Sequence, residues 1–599
     1  MLGVLCKSRV SLCLTVLATM IVQLPKALSA QDWPQWALNP QHTEFLSRTT
    51  AQPLNKNLVN IVYDFNVAQE QADPNTQNGL LVHYQVPLID GNDVFIESKD
   101  GTYSNTTYST QRWHQNKYTW QGSNFVKVWT FDTDWFAPGS SHDFWEPVYH
   151  AVLANGFLYD PGRGGTIFKI NKSDGSVVKR INPFGSTIDP NTYTASPLST
   201  DGKGNIFYNV VQISTPPTVS FYTNDAVNSW LVKVGADDSV SMVSYSTLLS
   251  QAVIKGEAVK AGNGRCDIAF SAGELPWPPQ PNSNAPTIPC GSQRAALNIA
   301  PAIAPDGTIY TVSRNHFVTR YDYLIAVNPN LSGKWAASFR GRLHDGCGVS
   351  FPIGNPGGAN ANGGCSAGAT FGVDPEVNTP PPGRVTDDSS ASPTIAPDGS
   401  IFFGAYTRYN FAQGHMLHFS ANGDFLNSFT FGWDNTPAIY PHGGTYSVIF
   451  KNNHYGGGPN FGSYCDDSNW CPERSASQTL GPQSFFVTQL DPNLNIEWSF
   501  QNTNTQSCTR NPDGSLTCVS DHPDGFEWCV NAAIVDANGV VYANSEDGNL
   551  YAIGQGGVLL ERMFQQLALG AAYTPASMDS SGRIYSQNAG HLFVVGNGP

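Results

Sequence analysis

Two stretches of this chain have nearly the same sequence: Ala300-Pro301-Ala302-Ile303-Ala304-Pro305-Asp306-Gly307-Thr308-Ile309-Tyr310 and Ser392-Pro393-Thr394-Ile395-Ala396-Pro397-Asp398-Gly399-Ser400-Ile401-Phe402. Each contains a proline, a short apolar run, an Asp-Gly turn and a second run that ends in an aromatic residue. Asp-Gly supplies the positive φ values that a tight hairpin requires, and alternating apolar and polar residues are typical of half-buried antiparallel strands. The stretch therefore predicts the first two strands of a repeated β unit.

The same pattern returns along most of the chain. A third and a fourth strand follow it, as in Leu324–Val327 and Trp335–Phe339. Weaker copies begin at Pro87, Pro147, Pro197, Pro437, Asn531 and Pro575. Repeats of this length and make-up indicate four-stranded blades of a β-propeller, so the sequence predicts an all-β, eight-bladed propeller of antiparallel blades.

The ends of the chain predict how the ring closes. The last copy ends after its third strand, His591–Val595, and an additional strand, Leu58–Phe65, precedes the first copy. We expect the N-terminal strand to complete the last blade, because this removes an exposed sheet edge.

Composition agrees with one large β domain over residues 31–599. The 599 residues include 57 Gly and 41 Pro, and only 13% are charged, which disfavours helical bundles and disorder. The formal net charge is −15 and no basic run occurs. Binding to nucleic acid or to anionic lipid is therefore disfavoured.

The first 30 residues have the order of a secretory signal peptide. Lys7 and Arg9 precede an apolar run, Val10–Leu24, and small residues lead to a cleavage site expected after Ala30. The alternative to a cleaved signal peptide is an uncleaved membrane anchor, which is disfavoured because no second apolar segment of about 18 residues follows. We expect a mature protein that is soluble, monomeric and exported, either secreted or periplasmic.

Nine cysteines remain after the signal, all beyond residue 265. Disulfide bonds are usual in exported proteins, and pairing of sequence neighbours would crosslink long Gly- and Pro-rich insertions. The expected pairs are Cys266–Cys290, Cys347–Cys365, Cys465–Cys471 and Cys508–Cys518, which leaves Cys529 unpaired.

Two motifs carry a family resemblance. Asp32-Trp33-Pro34-Gln35-Trp36, followed by Asn39–Thr43, resembles the opening of exported proteins with pyrroloquinoline-quinone-like (PQQ-like) propeller repeats, and Ser545–Ile553 resembles their third-strand repeat. The chain departs from the family pattern at Glu44, where a Gly commonly follows His-Thr. Loop insertions are expected near residues 102–125, 250–295, 344–390, 452–482 and 501–528.

The resemblance implies two functional classes. The family includes quinone-dependent alcohol and sugar dehydrogenases and also non-enzymatic scaffold propellers of the bacterial envelope. A dehydrogenase would need PQQ, usually with Ca²⁺ held by several oxygens. The adjacent cysteines and the regular tryptophan-docking turns of the better-known enzymes are not evident in this sequence. The sequence therefore favours a binding scaffold for a protein or glycan partner, with a PQQ- and Ca²⁺-dependent oxidoreductase of alcohols or sugars as the alternative.

Propeller geometry also predicts a site. Segments just before the innermost strands lie at one mouth of the central channel, so residues distant in sequence meet there. We expect an acidic and aromatic ligand site formed by Asp143, Trp145, Glu146, Asp387, Asp388, Trp433, Asp434, Glu527 and Trp528, with Asp388 and Asp434 as metal ligands. In the alternative interpretation, the tryptophans pack between blades and the carboxylates face solvent or cap turns.

Overall fold

The structure is a computed structural model, and it describes residues 32–598. The residues outside the description are 75–79, 81, 83, 105–107, 139–147, 215–219, 259–260, 268–286, 344–381, 388, 407–412, 433–434, 455–483, 529–530 and 570–574. The predicted signal peptide lies outside the described residues.

Eight antiparallel β-sheets form the blades of a β-propeller, as predicted. The chain begins with strand β1 (Lys56–Val62) and helix α1 (Val67–Gln71). Blade 1 contains β2 (Leu88–Asp90), β3 (Asp93–Gly101), β4 (Gln111–Gln121) and β5 (Asn124–Asp132). Blade 2 contains β6 (Val152–Ala154), β7 (Phe157–Pro161), β8 (Ile167–Asn171) and β9 (Val177–Ile181), with a 3₁₀ turn at Arg163–Gly165.

In blades 3 and 4 the innermost strand is split in two. Blade 3 contains β10 (Thr192–Thr194), β11 (Ser199–Thr200), β12 (Ile206–Ile213), β13 (Ala226–Val234) and β14 (Val240–Ser244). Blade 4 contains β18 (Gln293–Ala295), β19 (Ala302–Ile303), β20 (Ile309–Asn315), β21 (Tyr323–Val327) and β22 (Gly333–Ser338).

The remaining blades are regular. Blade 5 contains β23 (Thr394–Ile395), β24 (Ile401–Tyr406), β25 (Gln413–Phe419) and β26 (Phe425–Gly432). Blade 6 contains β27 (Ala438–His442), β28 (Thr445–His454), β29 (Ser484–Leu490) and β30 (Ile496–Gln501). Blade 7 contains β33 (Ile534–Val535), β34 (Val541–Asn544), β35 (Asn549–Gly554) and β36 (Val558–Phe564). Blade 8 contains β37 (Ser577–Met578), β38 (Ile584–Asn588) and β39 (His591–Gly596).

The N-terminal strand closes the ring, which confirms that prediction. Strand β1 pairs antiparallel with β39, with Asn60 opposite Phe593. Directly after β1, a buried ion-pair cluster joins blade 8 to blade 1: Lys99 Nζ lies 3.2 Å from Asp64 Oδ2 and 2.6 Å from Glu70 Oε1. The first and last parts of the chain are therefore linked by both a sheet and a charge cluster.

The Asp-Gly turns have the conformation that the repeat predicts. Gly307 and Gly399 adopt φ values of 86° and 83°. The side chains of Asp306 and Asp398 accept the amide of the residue two positions on, at 2.9 Å in both turns. The side-chain oxygen therefore fixes the turn while glycine supplies the left-handed conformation.

Three blades show tryptophan docking, which the sequence did not reveal. Trp129, Trp335 and Trp498 lie on the outer strands of blades 1, 4 and 6, and a Cβ on Gly175, Gly423 or Gly557 of the following blade would meet those rings. The indole groups of Trp129 and Trp335 donate to the carbonyls of Lys172 and Ala421. The sequence interpretation that such docking is not evident is therefore wrong for these three blades.

Two of the predicted insertions contain ordered elements. Between blades 3 and 4 the chain forms α2 (Tyr245–Gln251), β15 (Val253–Lys255), which pairs parallel with β22, and a hairpin of β16 (Gly262–Asp267) and β17 (Thr287–Gly291). Before blade 7 a hairpin forms from β31 (Gln506–Arg510) and β32 (Leu516–Ser520). The predicted insertion at residues 102–125 is wrong in most of its length, because β4 and the start of β5 occupy it as regular blade strands.

Two of the expected disulfide bonds are present. Cys266–Cys290 links β16 to β17, and Cys508–Cys518 links β31 to β32. The other expected pairs, Cys347–Cys365 and Cys465–Cys471, and the expected free Cys529 lie outside the described residues. Within the described ranges, no helix is long and apolar enough to cross a membrane.

Candidate functional site

Residues 32–52, named here the axial segment, run around the propeller axis and contact every blade in turn. The amides of Ile89, Leu153, Ile303, Ile395, Ile439 and Val535 donate to the backbone oxygens of Trp33, Pro34, Pro40, Gln41, Thr43 and Glu44, at 2.7 to 2.9 Å. Blade 3 contributes the Thr200 amide to Gln35 Oε1 at 2.6 Å, and blade 8 accepts the Gln52 amide at Gly582 O at 2.8 Å. These contacts lie where the innermost strands lead into their turns, so the axial segment forms the floor of the channel.

The axial segment coils tightly to follow the axis. Ala37, Leu38, His42 and Glu44 adopt left-handed φ values of 54°, 73°, 60° and 53°. A non-glycine residue in this region costs about 1 kcal/mol or more and persists only where the surroundings hold it. Glu44 therefore carries backbone strain that a glycine at the same position would not have.

Glu44 is also an unusual buried acid. Its side chain is completely buried, and neither carboxyl oxygen has a hydrogen-bond partner in the structure. Burial raises the pKa of this carboxyl well above its usual value. Burial therefore favours the protonated, neutral form of Glu44 in the folded protein.

Two buried histidines stand beside the axial segment. His42 lies within it and donates from Nδ1 to the Pro393 carbonyl at 2.8 Å. His150 packs its ring against Trp36, with centroids 5.6 Å apart, and donates from Nδ1 to the Ala151 carbonyl. Burial lowers the pKa of His42 to about 4 and that of His150 to about 3. Both rings are therefore neutral near pH 7, with Nε2 deprotonated.

At the opposite end of the channel, Asp387 is held by two arginines. Arg294 donates from Nη1 to Oδ1 at 3.0 Å and from Nη2 to Oδ2 at 2.5 Å, while Arg314 Nη1 lies 3.1 Å from Oδ2. The Tyr222 hydroxyl donates to the same oxygen, and Asn298 Nδ2 donates to the Asp387 carbonyl at 2.9 Å. Asp387 is therefore bound on all sides by its own chain.

The charge at this position differs from the expected one. Burial raises the pKa of Asp387, but the charges of Arg294 and Arg314 outweigh it and hold that pKa well below its usual value. His316 accepts a hydrogen bond from Arg294 Nε at 2.9 Å, and burial together with Arg294 lowers its pKa to about 3. Asp387 therefore faces two guanidinium groups. Burial raises the pKa of the neighbouring Asp322 well above its usual value, and the charge of Asp387 adds to that rise. The acidic site that the sequence predicts is thus balanced by arginine charges at Asp387.

The two described candidates of blade 7 have different positions. Glu527 is half-buried, and Asn453 Nδ2 approaches its Oε1 at 3.4 Å. Trp528 is completely buried between blades 6 and 7, donates from Nε1 to the Phe485 carbonyl at 3.2 Å, and packs edge-on against Tyr551. Its ring face is not open to a ligand, as the alternative interpretation of the tryptophans expected.

The other candidates cannot be placed. Asp143, Trp145, Glu146, Asp388, Trp433 and Asp434 lie outside the described residues, including both expected metal ligands. Among the residues that are described, no group of three or more His, Cys, Asp or Glu side chains is arranged to hold a metal ion.

Sequence reasoning missed a set of buried polar side chains at the same level of the channel. Ser390, Asn435 and Asn531 precede the innermost strands of blades 5 to 7 by three or four residues, and Asn298 stands four residues before β19, the second half of the innermost strand of blade 4. Asn531 Nδ2 donates to Ser390 Oγ, and Asn435 Nδ2 donates to the Asn531 carbonyl, both at 2.5 Å. Their equivalent places in the repeat were the signal that could have identified them.

Comparison with known proteins gives structural similarity alone. No protein-family model matches the sequence, and no curated protein matches it. The europium-containing methanol dehydrogenase is similar over 93% of this chain and 89% of its own, with 10% identity and a TM-score of 0.47. The quinohemoprotein alcohol dehydrogenase from Comamonas testosteroni is similar over 95% of this chain and 81% of its own, with 11% identity and a TM-score of 0.46. BamB from Moraxella catarrhalis is similar over 90% of this chain and 99% of its own, with 10% identity and a TM-score of 0.37. At this level of similarity no family and no function is assigned.

Proposed function

We propose that this protein is an exported propeller that binds a protein partner at the channel end opposite the axial segment and has no catalytic role there. The observation that carries the proposal is the state of Asp387. Its carboxylate is fully occupied by Arg294, Arg314 and Tyr222, so it is available neither as a base nor as a metal ligand. A carboxylate that is held by its own chain suits recognition of a partner's shape rather than acid–base or metal chemistry at this position.

The residues described fit a quinone and calcium site poorly. Ca²⁺ takes about six to eight oxygens. Within the described ranges, no acidic cluster of the required kind exists, and Trp528 has no open face on which a flat ring could stack. Metal binding through Asp388 and Asp434 remains a prediction. If the protein is shown to be a PQQ- and Ca²⁺-dependent oxidoreductase, that function replaces the one proposed here.

The preference for a protein over a glycan follows from the same residues. Sugars are commonly held by an exposed aromatic face with polar groups around it. The ring of Trp528 is buried, and Glu527 is a partly buried acidic residue in contact with Asn453. Glycan binding through Trp145 or Trp433 is the alternative, and the crosslinking experiment below must distinguish it from protein binding. The two disulfide bonds and the predicted signal peptide support export.

Site-specific photocrosslinking in the native host tests the proposal. A photoreactive amino acid replaces Glu527 at the mouth, and a matched control replaces Asn92, an exposed turn residue at the axial-segment end of blade 1. We expect a discrete protein adduct from position 527 and none from position 92. Equal crosslinking at both positions, or an adduct that glycosidases remove, would contradict a protein partner at the mouth.

A second measurement addresses catalysis. The purified mature protein is incubated with PQQ and Ca²⁺, and quinone absorbance after gel filtration is measured together with dye reduction by alcohols and sugars. We expect no retained quinone and no dye reduction. Retained quinone with substrate-dependent reduction would establish the oxidoreductase instead.

A further inference from the structure

The insertion between blades 3 and 4 borders a cavity of about 600 Å³ that is open to solvent on one side. Helix α2 provides Ser246, Leu249 and Ser250, β15 provides Ile254, and the blades provide Val227, Asn228 and Gln293 among the other lining residues. This volume falls within the range of small-molecule sites, about 300–1,000 Å³. Gln293 belongs to β18, so the cavity reaches the innermost strand of blade 4.

The walls of the cavity are of two kinds. Val227, Leu249 and Ile254 supply aliphatic surface, and two of them are unusually open for apolar residues, Val227 at 59% and Ile254 at 37% exposure. Ser246, Ser250 and Asn228 supply hydroxyl and amide groups. Asn228 Oδ1 accepts the Ser229 amide at 2.8 Å, while its Nδ2 remains a donor for a ligand.

Among the residues that the structure describes, the lining carries no acidic or basic side chain. The described charged residues next to it are paired elsewhere: Asp225 accepts from the Ser292 amide and hydroxyl, Lys255 pairs with Asp424 at 3.0 Å, and Glu257 pairs with Arg340 at 3.0 Å. A charged ligand would lose its hydration without a counter-charge, which is unfavourable. The cavity therefore suits an uncharged ligand.

The cavity is built by rigid elements. Strand β15 is hydrogen-bonded along the outer edge of blade 4, Ser244 caps α2 by accepting the Thr247 amide at 3.1 Å, and the buried Cys266–Cys290 bond crosslinks the hairpin beside it. A preformed pocket reduces the entropy lost when a ligand binds. We infer that the cavity between α2, β15 and blades 3 and 4 is a binding site for an uncharged, amphipathic small molecule. This site is independent of the function proposed for the channel mouth.

A matched pair of fluorescent probes tests the inference on the mature protein. N-phenylnaphthylamine is uncharged, and anilinonaphthalene sulfonate has a similar aromatic body with one negative charge. We expect saturable binding of the neutral probe at one site per chain, and at least about tenfold weaker binding of the sulfonate. Non-saturable binding of the neutral probe, or equal binding of the two probes, would overturn the inference.

Two variants place the probe in the cavity. Ser250→Trp fills the space from α2, and Ile254→Asp introduces a charge into the apolar wall. Each is expected to raise the Kd of the neutral probe at least about tenfold. Thr247→Trp is the matched control, because Thr247 is exposed on the same helix and does not line the cavity. Unchanged affinity in both cavity variants, each checked for a wild-type circular dichroism melt, would overturn the assignment.

Discussion

The backbone oxygen of Glu44 accepts a hydrogen bond of 2.9 Å from the Val535 amide, which fixes Glu44 against blade 7 in a left-handed conformation. The same contact keeps the carboxyl group buried without a hydrogen-bond partner. One residue thus combines backbone strain with an unsatisfied acid at the floor of the channel. Both features weaken the fold, and both disappear in a glycine.

Glu44→Gly is expected to raise the free energy of unfolding by about 1–3 kcal/mol, through relief of strain and removal of the buried carboxyl. Because the folded pKa of Glu44 is raised, wild-type stability is fully present below the usual carboxyl pKa and is lost as pH rises through the folded pKa. The gain should therefore be larger at pH 7.5 than at pH 4.5. Urea unfolding at both pH values measures it.

Glu44→Gln is the control for this prediction. It removes the ionisable group as Gly does, so its gain over wild type should show the same increase from pH 4.5 to pH 7.5. The gain should be smaller at both pH values, because a non-glycine residue still holds the left-handed conformation. A Gly variant less stable than wild type at both pH values would contradict the role assigned to Glu44.

The fold could be predicted because its signal is local. The Asp306-Gly307 and Asp398-Gly399 turns and the strands beside them lie within a few residues of each other, and hairpin chemistry fixes their conformation. Ring closure followed from counting strands. Tryptophan docking was missed because the receiving glycines stand in turns of different sequence, with only the three-dimensional register bringing Gly423 to Trp335.

The candidate site was predicted from acidic residues expected near the axis, and this placement stays a prediction. The charge around Asp387 is set by Arg294, which precedes it by 93 residues and belongs to another blade. Acidic residues expected near the axis therefore predict an acidic mouth. In the folded chain, arginines from other strands supply counter-charges that the positions of the acidic residues alone do not reveal. Trp528 shows the same limit, since neighbouring blades cover its ring.

Acid sensitivity of the channel floor is the second prediction. Burial holds the pKa of His150 at about 3, so its neutral form stabilises the fold above the unfolded value near 6.5, and this contribution is lost as pH falls below that value. His150→Phe keeps an aromatic ring against Trp36 and should reduce the stability lost between pH 7 and pH 5 by about 2 kcal/mol. Thermal unfolding of wild type and His150→Phe across this range measures the difference. An equal loss in the two proteins would contradict the role assigned to His150.

The third prediction concerns the Asp387 cluster. Asp387→Asn leaves Arg294 and Arg314 buried without their counter-charge, so the free energy of unfolding should fall by about 3–5 kcal/mol. Asp513→Asn, in the exposed turn between β31 and β32, should change stability little. If Asp387→Asn leaves the unfolding transition unchanged, the ion pairs have no structural role and Asp387 returns to the list of ligand-binding candidates.

The disulfide bonds are expected to differ in accessibility to reductant. Cys266 and Cys290 are completely buried, whereas Cys518 is exposed on its hairpin. Brief treatment of the folded protein with a mild reductant should open Cys508–Cys518 first, because thiolate attack requires access to a sulfur atom. Alkylation followed by peptide mass spectrometry gives the order. Simultaneous reduction of both bonds would indicate that the hairpin of β16 and β17 opens readily.

The last prediction separates close packing from backbone strain at a docking position. Gly423 has a φ of 81°, and a Cβ there would lie 2.6 Å from ring atoms of Trp335 on the preceding blade. Gly423→Ala should therefore lower the free energy of unfolding by about 2–4 kcal/mol, through left-handed strain and displacement of the indole.

Gly443→Ala is the matched control, because Gly443 also has a positive φ, 54°, but a Cβ there would meet no atom within 4 Å. This variant should lose only about 1 kcal/mol. The difference between the two measures the contact between blades 4 and 5, and combining Gly423→Ala with Trp335→Phe should recover part of it, because the smaller ring leaves room for the methyl group. Equal losses in the two alanine variants would mean that the indole moves aside freely and that the docking contact contributes little to blade packing.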